Sequence, residues 1–173
     1  DGTEIIETIR TYGPSDLGRR VRLTYSGAEY RGRARTSVWD GSLTINGNAI
    51  AEARMFNNWN MDRGIRGQRP DGLSWKAVTT GNYGGIDLWL EEPNAGAISF
   101  ETKHCSGTRD ITSLGVEADI FPGGGLEREV ALARLPEKMS ETRLSLSRRI
   151  AVPKGRDTRL FVRVTQEDGH RAW

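Results

Sequence analysis

The sequence predicts an all-β fold, a mainly antiparallel β-sandwich of jelly-roll or immunoglobulin-like type with little helix. Three observations predict it. Apolar and polar residues alternate with a period of two at Val21/Leu23/Tyr25, Ile86/Leu88/Leu90 and Leu160/Val162/Val164, as half-buried strands require. Turn residues punctuate these runs at short intervals, with 21 glycines and 6 prolines. No segment keeps an apolar period of 3.6 over three turns. Roughly ten short strands at this spacing suit a sandwich or barrel, and the whole of residues 1–173 reads as one domain.

In chain order, Asp1-Gly2 is a turn dipeptide before the β-branched run Thr3–Ile9, which implies an earlier strand. Residues 12–18 read as a loop from Gly13, Pro14 and Gly18. Val21, Leu23 and Tyr25 then face one way, and Arg20, Arg22 and Thr24 the other. Ser26-Gly27-Ala28-Glu29 is expected to close a hairpin. Its return strand would place Tyr30, Gly32, Ala34, Thr36 and Val38 opposite Arg31, Arg33, Arg35 and Ser37. The outward faces together form an arginine face: Arg20, Arg22, Arg31, Arg33 and Arg35. Its plain reading is a solvated sheet face; the functional one is a docking face for another domain.

Trp39-Asp40-Gly41 is a turn. Leu43 and Ile45, then Asn46-Gly47, then Ile50, predict a second hairpin, because Asn-Gly supplies the positive φ of a type I′ turn. Residues 55–72 form the longest irregular stretch, and loops of that length are functional or mobile. It combines Phe56 and Trp59 with Arg63, Arg66 and Arg69, residue types enriched at interfaces. Strands follow at Leu73–Val78, Ile86–Leu90, Ile98–Thr102, Val116–Phe121, Val130–Leu132, Leu144–Ile150 and Leu160–Thr165. Thr108–Gly115 fits a strand or a short helical turn. After Asp168-Gly169 a returning strand is expected, but the chain reaches Trp173 at once. Such an ending, like the opening at Asp1-Gly2, reads as a fragment of a longer protein.

Apolar residues make up 36% and charged residues 28%, with 25 basic against 23 acidic side chains. That balance fits neither a disordered chain nor a membrane-spanning one. A net charge of +2 gives little steering toward nucleic acid, so neither nucleic acid nor membrane is expected as a partner. One cysteine, Cys105, cannot form an internal disulfide, and there is no CxxC or Cys/His cluster for zinc. His104 and His170 are the only histidines, too few for a His-rich metal site. Adjacent residues on a strand point to opposite faces, so His104 and Cys105 would not form a nucleophile–base pair. Gly123-Gly124-Gly125 lacks the lysine and the following helix of a phosphate loop. These features predict no catalytic residue, metal or cofactor. Five tryptophans, Trp39, Trp59, Trp75, Trp89 and Trp173, open an alternative reading as a carbohydrate-binding module, against the plain one of core or edge packing.

The closing run Phe161–Trp173 resembles the tail of a bacterial family whose members carry a PHP-type metallohydrolase domain followed by a β-rich C-terminal region. Trp39–Ile50, Ile98–Thr102, Arg143–Ser147 and Asp1–Glu7 are similar to further segments of that region. The family's metal ligands lie in the upstream domain, and no motif for them occurs here. The resemblance implies a non-catalytic accessory domain of a metal-dependent hydrolase. Its implied partner is the metallohydrolase domain of the same parent chain.

Overall fold

The computed structural model describes residues 17–30 and 35–136, together with 147, 149, 155, 157, 162, 164, 165, 171 and 172. The chain divides into two compact units, Asp1–Ser140 and Glu141–Trp173. The first is an all-β sandwich, as the alternation predicts. Its strands are β1 (Arg20–Ala28), β2 (Ser37–Val38), β3 (Gly41–Asn46), β4 (Ile50–Phe56), β5 (Gly64–Arg69) and β6 (Gly72–Lys76). They continue with β7 (Val78–Thr79), β8 (Tyr83–Leu90), β9 (Ala97–Thr102), β10 (Ser106–Asp110), β11 (Asp119–Pro122) and β12 (Leu126–Leu135). A 3-10 turn, Ile111–Ser113, follows β10, which resolves the ambiguous stretch into strand and then turn.

Two five-stranded antiparallel sheets make the layers. The first has the order β11-β12-β1-β8-β4 and the second β10-β9-β3-β6-β5. A two-stranded ribbon pairs β2 with β7. Val21, Leu23, Ile86, Leu88, Val130 and Leu132 from the first sheet share one buried cluster with Leu43, Ile45, Leu73, Trp75, Ile98 and Phe100 from the second. Facing apolar sets of this kind are what hold two sheets together. On one lateral side Arg109 of β10 bonds Asp119 of β11 at 2.5 Å, and the rings of Phe100 and Phe121 meet edge to face at 5.0 Å.

Two expected hairpins do not form. β1 runs straight on through Ala28 with a bulge between Ser26 and Ala28, and pairs with β12 and β8. Both its edges are thereby occupied, and Ser37–Val38 pairs with Val78–Thr79 instead. Asn46-Gly47 likewise turns the chain from one sheet to the other, for β3 and β4 lie in different layers. Gly47 has φ of 75° there. The Asn48 amide pins this corner to the β8–β9 loop, donating to Glu92 O at 2.7 Å and Ala95 O at 2.8 Å. The irregular stretch 55–72 is also corrected: it contains the end of β4 and all of β5, leaving residues 57–63 as the loop. β5 shows no apolar alternation because it is an exposed edge strand, with a bulge between Ile65 and Gly67. Bulges and arginines on an edge discourage pairing with other chains.

In the second unit, Val164–Thr165 (β13) pairs antiparallel with Arg171–Ala172 (β14). The returning strand for which the chain leaves little room before Trp173 is therefore present, with a register of two residues. The expected strand at Thr3–Ile9 lies outside the described residues, as does that at Leu144–Ile150 apart from 147 and 149.

Candidate functional site: an arginine–aromatic face and an apolar loop tip

Strand alternation sends Arg20 and Arg22 of β1, Asp87 and Trp89 of β8, and Glu52, Arg54 and Phe56 of β4 to the outer side of the first sheet. Register then joins them. Arg22 lies opposite Asp87 and Arg20 opposite Trp89 across β1 and β8. Arg54 lies opposite Asp87 and Phe56 opposite Gly85 across β4 and β8. Arg22 forks onto Asp87 through Nε at 2.7 Å and Nη2 at 2.8 Å, and Arg20 adds Nη2 at 2.6 Å. The Arg22 guanidinium sits 4.4 Å above the Phe56 ring. Arg20 and Arg54 approach the Trp89 ring at 5.3 and 5.5 Å. Arg54 also bonds Glu52. The result is a ladder of guanidinium groups and aromatic rings, each contact favoured by the ring quadrupole.

This part of the expected arginine face is not a solvated one. The side chains of Arg20, Arg22 and Asp87 are only 12%, 13% and 8% exposed. Burial pushes the Asp87 carboxyl up, but the hydrogen bonds from Arg22 and Arg20 outweigh it and hold the carboxyl below its ordinary value. Arg35 is exposed and outside any strand, apart from this ladder by sequence. Arg31 and Arg33 lie outside the described residues.

The β4–β5 loop carries the other candidates. Asn57 adopts a left-handed φ of 51°, which turns the chain out of β4. Asn58 Nδ2 donates to Arg63 O at 3.1 Å, and Arg63 N to Asn60 O at 3.0 Å. The Asp62 amide donates to Asn60 Oδ1 at 3.1 Å. These bonds cross the loop and hold its tip, where Trp59 is 83% and Met61 100% exposed. The three arginines do not converge on one point. Arg63 points back to Ala77 O and Asp40, each at 3.5 Å, Arg66 bonds Asp62 O, and Arg69 bonds Asp71. The structure thus brings Arg20, Arg22 and Phe56 together and leaves Trp59 at the tip. Asp87, Arg54 and Met61 were not among the expected residues, and Trp89 was expected only among the tryptophans of the carbohydrate-binding alternative. The alternation at Ile86/Leu88/Leu90 does place Asp87 and Trp89 on the reverse face, and that is the signal that could have found Asp87.

Among the described residues the tryptophans do not form a platform. Trp39 and Trp75 are core residues, the former donating from Nε1 to Thr79 Oγ1 at 2.8 Å. Trp89 is held in the ladder, and Trp173 lies outside the described residues. His104 and Cys105 occupy the β9–β10 turn rather than a strand, a correction forced by the bond from Thr102 N to Cys105 O at 3.0 Å. The His104 ring meets Trp39 edge-on at 4.8 Å. Burial, with Arg128 and Lys103 nearby, lowers its pKa, and burial raises that of Cys105, so both favour their neutral forms. Among the described residues no three His, Cys, Asp or Glu side chains converge as a metal site. None of their helices is long and apolar enough to cross a membrane. Comparisons with family models, curated proteins and solved structures return no match.

Proposed function

We propose that this chain is a non-catalytic accessory β domain that docks a second protein domain through the tip of the β4–β5 loop. The observation that carries the reading is the exposure of Trp59 and Met61 on a loop held by its own hydrogen bonds. Large apolar side chains kept in water by a pre-ordered backbone suit binding, because little conformational entropy is then lost on association. Tryptophan is also enriched among the residues that dominate interface energies. The resemblance at Trp39–Ile50 and Phe161–Trp173 supports a PHP-type metallohydrolase domain of the same parent chain as the partner.

Hydrogen exchange across residues 57–63, compared with and without that upstream domain, tests the reading. Protection of the loop in the longer chain is expected, together with its loss in Trp59→Ala. The substitution itself should alter stability by no more than about 0.5 kcal/mol, as for other exposed sites. Equal exchange in both contexts would remove docking through this tip.

A further inference from the structure

Among the described residues the two large sheets end in four edge strands, β11 and β4 in the first and β10 and β5 in the second. An unpaired edge presents a row of backbone donors and acceptors that another strand can take up. Three of the four are blunted. β4 is bulged between Ile50 and Glu52, β5 between Ile65 and Gly67, and β11 ends on Pro122, all devices that discourage further pairing. β10 has neither bulge nor proline, and its register with β9 is unbroken from Ser106 to Asp110.

The register fixes which backbone groups of β10 face the open side. Thr102 N donates to Cys105 O at 3.0 Å, and Ile111 N to Gly96 O at 2.9 Å. Bonded pairs recur at every second residue of an antiparallel ladder, so Gly107 and Arg109 turn their N–H and C=O groups to β9. Ser106, Thr108 and Asp110 turn theirs outward, and all three residues are exposed. Asp110 O accepts from Ser113 Oγ at 2.7 Å and keeps a second lone pair. The order of side chains suits a second copy of the same strand. With Thr108 on a twofold axis, an antiparallel copy sets Thr108 against the partner's Thr108 and Ser106 against the partner's Asp110. All three outward residues then meet outward residues, in a Thr–Thr pair and two hydroxyl–carboxylate pairs of the kind that favour cross-strand contact. An axis through Arg109 or Asp110 would oppose like charges, which is destabilising. An axis through Ser106 or Gly107 leaves Asp110 beyond the end of the facing strand.

We propose that two copies of this chain associate through β10, paired antiparallel about Thr108, so that their second sheets join into one. The contact is isologous and closes at two copies. So short a strand buries little area, which places the dimer among weak, concentration-dependent associations. β5 forms the opposite edge of that sheet, so the β4–β5 loop tip takes no part in the contact.

Sedimentation equilibrium of the chain over a concentration series reaching about 1 mM tests this. A monomer–dimer equilibrium is expected. Thr108→Pro removes the N–H on the open side and none of the bonds to β9, a change that an edge strand tolerates, and should weaken dimerisation at least about tenfold. Ser106→Lys sets an ammonium opposite the partner's Asp110 at two symmetric positions and should tighten the dimer roughly two- to thirty-fold; Ser106→Asp should loosen it to a similar extent. Opposite shifts from one position identify a facing carboxylate, which nonspecific clustering would not produce. Trp59→Ala should dimerise like the parent, which separates this proposal from docking through the loop tip. If Thr108→Pro does not fold, the two Ser106 variants carry the test. A chain that stays monomeric throughout, a dimer indifferent to the folded variants, or assembly that grows beyond two copies would overturn the proposal.

Discussion

Replacing Asp87 by alanine removes the carboxylate that Arg20 and Arg22 share. Three charge-assisted hydrogen bonds of 2.6, 2.7 and 2.8 Å go with it. Removing one partner of a fully buried ion pair costs about 3–5 kcal/mol, chiefly because the remaining charge stays desolvated. Here the two guanidinium groups keep 12% and 13% exposure and their stacking on Trp89 and Phe56, which places the expected loss near about 3 kcal/mol at neutral pH. For a chain of this size that corresponds to roughly 6–12 °C in melting temperature. Asp87→Asn is expected to do no better than alanine, since its amide N–H would face a donor. The pH dependence follows from the depressed carboxyl. Its contribution is fully present above the ordinary value of 3.8 and is lost as pH falls through the lower folded value. Urea denaturation of parent and variant over a pH series reads both effects. The gap between them should narrow only below about pH 4. A variant within about 0.5 kcal/mol of the parent at neutral pH, or a gap unchanged in acid, would refute the assignment of Asp87 as the anchor of the ladder.

Arg134 is 5% exposed and donates to Gly18 O, Pro93 O and Asn94 Oδ1 at 2.9, 2.6 and 2.8 Å. Arg134→Met should cost about 3 kcal/mol by chemical denaturation, and Arg134→Lys should recover less than half, because an ammonium cannot reproduce the planar fork. His104 has a folded pKa below its ordinary 6.5, so the unfolded chain takes the proton first and stability falls as pH drops below that value. In His104→Phe, which keeps a ring against Trp39, this slope should disappear from a melting-temperature series across about pH 5 to 8. Gly85→Ala should destabilise by at least about 2 kcal/mol, since a Cβ there would meet the Leu23 carbonyl and the Phe56 ring. Gly107→Ala should cost less, as its first obstacle is the Phe121 ring alone, and paired thermal melts compare the two.

Alternation along a strand is a local property, written in neighbouring residues, and it was legible. Val21/Leu23/Tyr25, Ile86/Leu88/Leu90 and Ile98/Phe100 all turn their apolar sides to the core as read. The all-β class followed from those runs and the turns between them. Pairing is not local. Nothing in β1 says that it lies between β12 and β8, both more than fifty residues away along the chain. An Asn-Gly turn can serve a hairpin or a corner between sheets, and only the layer to which Ile50 is committed decides which. The edge strand β5 was invisible for a related reason: with little to bury, it needs no apolar pattern. The same division holds for the surfaces. Arg20, Arg22, Phe56 and Trp59 could be picked out by residue type. That two of these arginines converge on Asp87, and that β10 is left at a sheet edge, depended on which strands pair across the chain, which only the tertiary structure decides.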